Sequence, residues 1–240
     1  MQIEENIALA PLTTFCIGGP ARFLVRVASV EELKQSLDFA RDENKPVLIL
    51  GGGSNILISD AGFDGLVIKI EIAGVEIQES VEENKEKEAE KAVLIVGAGE
   101  NWDAVVARAV GEGLWGLENL SGIPGTVGGA VVQNIGAYGA AVSEVIEWVE
   151  VFDTEYKETG TGTDTEKEIG AIKRITPQEC AFDYRDSVFK RKNNLVVIRV
   201  AFVLSAVSRP NLTYKDLAQK FSGVVGQEGA AMPSLVAIRD

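Results

Sequence analysis

The sequence contains no histidine. That removes Ser-His-Asp and Cys-His nucleophilic catalysis, and most zinc chemistry, from the functions open to the chain. Cysteine is nearly absent too. Cys16 and Cys180 stand far apart and form no metal-spaced cluster, so reduced thiols in a cytoplasmic protein are expected, and no metal. Long apolar runs are missing: no stretch approaches the ~20 residues of a spanning helix. Residues Met1 to Asn6 offer neither the basic start nor the apolar core of a secretory signal. Positive charge is scarce. Lys and Arg number 23 against 36 Asp and Glu, a net charge of −13. Such a chain repels phosphate backbones, so neither nucleic acid nor a membrane is an expected partner. An anionic cofactor would have to be met locally, by backbone N–H groups and a few placed cations.

What is present suffices for a folded core. Hydrophobic residues make up 46% of 240 residues, enough for one large domain or two small ones. Phe23 to Val27 has the pattern of a strand. Ser29 with Glu32 forms a capping box that opens a helix, whose apolar stripe is Val30, Leu33, Leu37 and Ala40. The helix ends at Asn44-Lys45-Pro46. Val47 to Leu50 is continuously apolar and predicts a strand buried on both faces. Further strands are predicted at Leu66–Ile70, Val93–Val96, Glu147–Phe152 and Leu195–Leu204, and a helix capped by Asn101 over Trp102–Val110. The charged stretch 80–91 and the Thr-, Gly- and Glu-rich stretch 154–169 are expected to be exposed insertions. Strands and helices mix without steady alternation, which argues for an α+β fold.

Three segments could carry chemistry. Gly51-Gly52-Gly53-Ser54-Asn55 follows a strand, where glycines let the backbone approach a ligand and successive N–H groups form an anion nest. By itself the segment suits a plain tight loop equally well. Ser121 to Tyr138 continues to Gly139 and holds six glycines, at 122, 125, 128, 129, 136 and 139. Thr126, Gln133, Asn134 and Tyr138 offer polar contacts among apolar neighbours there. A loop that only connects rarely needs so much glycine. Tyr184-Arg185-Asp186-Ser187-Val188-Phe189-Lys190 gathers cations, a carboxylate and aromatics. Arg185 suits a carboxylate or phosphate because its planar fork binds bidentately, although on its own the cluster is no more than a surface Arg–Asp pair. The match of Gly111-Glu-Gly113-Leu-Trp-Gly116 to a dinucleotide fingerprint fails on context, because it follows a helix. It has the look of a helix C-cap.

Thr14-Phe15 with Ile17-Gly-Gly-Pro-Ala-Arg22, then Leu50 to Asn55, then 121–139, then Tyr184 to Phe189 occur in this order. Together they resemble the UDP-N-acetylenolpyruvoylglucosamine reductases. The resemblance covers residues 7 to about 205 and weakens after that. It implies a bipartite FAD-binding fold of the vanillyl-alcohol-oxidase (PCMH) type. A first FAD-binding subdomain would span 1–75 and a second 76–205, and 206–240 would begin a substrate-binding domain. It implies FAD as cofactor, NADPH as hydride donor, and conversion of the enolpyruvyl UDP-sugar to UDP-N-acetylmuramate for peptidoglycan, by a monomer. By position, Gly51, Gly52, Gly53, Ser54, Asn55, Ile123, Pro124, Gly125, Gly128, Gly129, Gln133, Asn134, Gly136 and Tyr138 would contact FAD. Arg185 would be catalytic and bind the substrate carboxylate, with Tyr138 and Tyr214 also on the substrate. The family's proton-donor serine motif and late glutamate have no counterpart before Asp240, so little turnover is expected of the 240-residue chain alone. Another oxidoreductase of the same fold, or a flavin-binding module without activity, stays open as an alternative.

Overall fold

The computed structural model describes residues 1–79, 91–159, 166–222 and 233–239. Strands β1 (Ile3–Ala8), β2 (Pro20–Val27), β3 (Val47–Leu50) and β4 (Phe63–Ile70) form one mixed sheet in the order β1-β2-β4-β3. β1 runs antiparallel to β2, while β2 and β3 both run parallel to β4. Helix α1 (Val30–Asp42) makes the crossover from β2. Ser29 Oγ accepts from the Glu32 N–H at 3.2 Å, and the Glu32 carboxylate reaches back to the Ala28 N–H at 2.8 Å. The capping box forms, shifted by one residue on its return bond.

Period-2 alternation divides this sheet between two cores. Phe23, Val25 and Val27 of β2, with Leu66, Ile68 and Ile70 of β4, join Leu33, Leu37 and Ala40 of α1 in the main core. Leu24 and Val67 point the other way, into a small cluster with Leu9, Leu50 and Ile58.

The second sheet is wholly antiparallel. Strands β5 (Val75–Glu79), β6 (Lys91–Gly97), β9 (Ile146–Thr159), β10 (Glu166–Ile175) and β11 (Leu195–Ser205) run in the order β10-β9-β11-β6-β5. Helices α2 (Trp102–Gly111) and α3 (Val127–Gln133) join its core. Trp102 meets Phe202 of β11 edge to face, with ring centroids 6.0 Å apart, and donates its indole N–H to the Leu120 carbonyl. Asn101 caps α2 through Ala104 N–H, as its sequence predicts. The short strands β7 (Gly136–Ala137) and β8 (Ala140–Ala141) form a hairpin, α4 (Val188–Arg191) follows, and α5 (Lys215–Lys220) and α6 (Leu235–Arg239) complete the elements. Arg239 of α6 forks onto Asp103 of α2 at 3.0 and 2.8 Å.

Two expectations need correction. β3 is not buried on both faces: Val47 is exposed and only Leu50 is buried. It is an edge strand, and it walls a cleft. Within the segment 154–169, β9 runs on to Thr159 and β10 begins at Glu166; residues 160–165 lie outside the described residues. The glycine-rich segment contains a helix, α3, which its composition concealed. The stretch 80–91 lies outside the described residues, apart from Lys91 at the start of β6.

Candidate functional site

A cleft of about 660 Å³ opens between the two sheets. β3 and loop 51–56 wall one side. Residues 123–126, 128–130, Gln133, Ile135, Phe189, Lys190 and the start of β11 wall the other. The two sides meet where glycine leaves no side chain. A Cβ on Gly52 would lie 2.7 Å from Gly125 Cα, and one on Gly51 would lie 2.7 Å from Thr126 Oγ1. Among the described residues, two side chains bridge the walls of the cleft: Ser54 Oγ donates to the Pro124 carbonyl at 3.1 Å, and Asn55 Nδ2 to Gln133 Oε1 at 2.9 Å.

Polarity in the cleft is mostly backbone. Among the described residues, nothing accepts from the N–H groups of Gly52, Gly53, Ser54 and Asn55. Four successive open donors on a glycine loop are what an anion nest requires. The Val127 and Gly128 N–H groups are instead spent on the carbonyls of Glu100 and Ala98, which fixes the start of α3 against the loop before α2. Thr126 Oγ1 is buried with no partner among the described residues. Lys190 is the one charged residue lining the cleft, and no carboxylate lines it among the described residues. The surplus of acid in the chain is thus kept away from the nest.

Gly51, Gly52, Gly53, Ser54, Asn55, Ile123, Pro124, Gly125, Gly128, Gly129 and Gln133 all line this cleft. Asn134, Gly136, Tyr138, Arg185 and Tyr214 stand beside it in two groups. In the first, Asp183 and Asp186 exchange backbone hydrogen bonds at 3.0 and 3.1 Å, leaving Tyr184 and Arg185 at the tip of a turn. The Arg185 guanidinium donates to the Asn134 carbonyl at 3.3 Å and to the Gly136 carbonyl. Lys190 Nζ, from the cleft wall, donates to the Arg185 carbonyl at 2.7 Å. In the second group the Tyr138 and Tyr214 rings meet edge to face at 5.5 Å. Asn134, Tyr138 and Arg185 all have left-handed backbone, with φ of +43°, +48° and +53°. Non-glycine residues hold that conformation at a cost, and such strain gathers at functional sites.

Sequence reasoning missed several participants. Asn193 and Val196 line the cleft, yet each looks like an ordinary loop or core residue. Asp186 also disappoints as the partner of Arg185, since it pairs with Arg191. Cys180 is chemically quiet: burial, with Glu179 adding to it, pushes its thiol up to about 12, so it carries no thiolate at neutral pH. Beside the site, burial raises the Glu118 carboxyl above its ordinary value, although Oε2 accepts the Gly116 N–H at 2.6 Å.

Residues 21–156 match the family described as FAD binding domain. A VAO-type flavoprotein from Myceliophthora thermophila superposes with a TM-score of 0.51 at 18% identity, over 81% of this chain and 34% of that one. The class is therefore a bipartite α+β flavoprotein fold of the vanillyl-alcohol-oxidase type. Within it, the chain belongs to the UDP-N-acetylenolpyruvoylglucosamine reductase family. The reductase of Nocardia farcinica is 37% identical over 240 residues, covering 99% of this chain and 55% of the relative. The crystal structure of the Thermus caldophilus enzyme matches with a TM-score of 0.62 and 31% identity, over 93% of this chain and 68% of that one. The chain thus spans little more than half the length of the Nocardia relative. No helix among the described residues is long and apolar enough to cross a membrane.

Proposed function

We propose that the chain forms the FAD-binding part of an NADPH-dependent reductase that converts UDP-N-acetylenolpyruvoylglucosamine to UDP-N-acetylmuramate. Residues 1–75 and 76–205 act as the two halves of the flavin cradle, and 206–240 begin the substrate-binding part. The observation that carries this reading is the run of open N–H groups at Gly52 to Asn55, set in a cleft that no carboxylate lines among the described residues. A pyrophosphate between two flat ring systems suits that donor set, with Ile49, Ile123, Ile135, Phe189 and Val196 as walls. The unpartnered Thr126 hydroxyl adds a polar group on the same wall.

Bound FAD supplies the hydride chemistry, between NADPH and the enolpyruvyl carbon. The residues of the chain hold and orient. The nest holds the pyrophosphate without asking an acidic protein for many cations. Arg185 receives the enolpyruvyl carboxylate. Two carbonyls already fix its guanidinium, so its charge is in place before electron density moves toward the carboxylate. Tyr138 and Tyr214 cover the sugar side as a pair.

The test is NADPH oxidation by the full-length protein after addition of the enolpyruvyl sugar, alongside the visible spectrum of the desalted chain. Flavin bands and sugar-dependent oxidation are expected. Arg185→Ala should lower kcat by roughly 10²–10³, as loss of a preorganised charge partner does. Sugar-independent oxidation, or full activity in Arg185→Ala, would overturn the assignment.

A further inference from the structure

We infer that Asn119 is a positioning residue that ties loop 207–214 to the glycine-rich segment, so that Tyr138 and Tyr214 act as one surface. Asn119 sits in the short turn Glu118–Leu120, just before the glycine-rich segment, and is only 4% exposed. Its Nδ2 donates twice: to the Tyr138 carbonyl at 3.0 Å and to the Asn211 carbonyl at 2.9 Å. These acceptors lie in two different loops. Its Oδ1 is buried and accepts nothing among the described residues.

That unpaired oxygen is informative. A buried polar atom without a partner costs stability, and an apolar side chain of similar shape would avoid the cost. The amide is therefore poorly explained as a device for packing the turn. What it adds is two N–H donors diverging from one buried point. Aspartate, of the same shape, would turn a carboxylate toward two carbonyl oxygens.

A second asparagine tightens the joint. Asn211 Nδ2 donates to the Gly139 carbonyl at 3.1 Å, while its Oδ1 accepts the Thr213 hydroxyl at 2.7 Å and the Thr213 N–H at 3.2 Å. Gly139 has φ +79°, and a Cβ there would lie 3.2 Å from Thr213 Oγ1. The result is the pair of rings at 5.5 Å, with Tyr138 and Tyr214 both still about half exposed. At its other end the Tyr138 turn is held by Arg185, through the Gly136 carbonyl. Asn119 thus completes a turn gripped from both sides, with two aromatic faces left free for a ligand.

The substrate arm of the test rests on the function proposed above; the exchange arm does not. In the full-length protein, Asn119→Leu should speed hydrogen–deuterium exchange about tenfold or more in peptides over 207–214 and 136–141, the loss expected of two buried hydrogen bonds. Flavin retention after desalting should not change. KM for the enolpyruvyl sugar should rise about tenfold while kcat changes less than about threefold, and Tyr214→Ala should add little on this background. Unchanged exchange, or effects of the two variants that simply add, would overturn the inference. If Asn119→Leu fails to fold, Asn211→Ala cuts the links to Gly139 and Thr213 and is read by the same measurements. A wild-type protein that ignores the sugar refutes the proposed function, and exchange alone then decides the role of Asn119.

Discussion

Gly52 has no room for a side chain. Added atoms would meet Gly125 Cα at 2.7 Å and the Thr126 nitrogen at 3.1 Å, both backbone and both on the far wall of the cleft. Gly52→Ala must therefore push the halves apart. Overpacking of this kind costs about 1–3 kcal/mol, so flavin dissociation, followed by absorbance after dilution, should worsen about tenfold or more. Gly111 is the contrast. It lies at the end of α2 with nothing within 4 Å of a built Cβ, and Gly111→Ala should raise stability by about 0.5–1 kcal/mol in thermal melts. The sequence distinguished these two glycines by context: one follows an apolar strand, the other a helix. It could not distinguish Arg185 from a surface charge, because its partners are carbonyls of residues 134 and 136, which no side-chain pattern advertises. Asn119 was illegible for the same reason. Its meaning lies in acceptors 19 and 92 residues away.

Among the elements, the neighbouring strands β10, β9 and β11 of the second sheet carry a charged cluster with its own pH signature. Glu150 on β9 is buried, yet Arg199 holds it at 2.8 and 3.2 Å and Arg174 at 3.1 Å. Burial pushes its carboxyl up, but the hydrogen bonds and charges of the two arginines outweigh burial and hold it below its ordinary value. A carboxyl depressed in the folded state binds fewer protons there than in the unfolded chain. Its stabilisation is complete above the ordinary carboxylate range and fades as pH falls through the depressed value. Glu150→Gln should lower stability at neutral pH by about 1 kcal/mol or more, roughly 2–4 °C in Tm for a chain of this size. The variant should also flatten the acid limb of Tm against pH, and an unchanged acid limb would remove Glu150 from that role. Helix α1 was legible at this scale because its cap and stripe are local in sequence. Helix α3 was not, since glycines at 128 and 129 hide a helix set by contacts with Ala98 and Glu100. The run Val47–Leu50 misled because an apolar strand facing a ligand cleft has the same composition as one facing a core.

For the whole molecule, the walls of the cleft share few direct polar bonds among the described residues, with Ser54–Pro124 and Asn55–Gln133 as side-chain bridges. A ligand seated there touches both halves, so it binds the folded chain and not the unfolded one. At a hundred times its Kd, FAD should add about 2.7 kcal/mol to stability, read as a rise in Tm by scanning fluorimetry that AMP alone does not reproduce. At this scale the sequence was most readable: the order of four motifs carried the family. Composition could not show that a chain of net charge −13 keeps carboxylates out of the described wall of its cleft.

β3 has one more consequence. It is an edge strand, and Val47, Leu48 and Ile49 border the cleft. Before cofactor arrives, such a strand offers a sticky template on which a neighbouring chain can add a strand of its own. Overproduction that outruns flavin supply should then yield inclusion bodies, and riboflavin in the growth medium should act, in effect, as a chaperone.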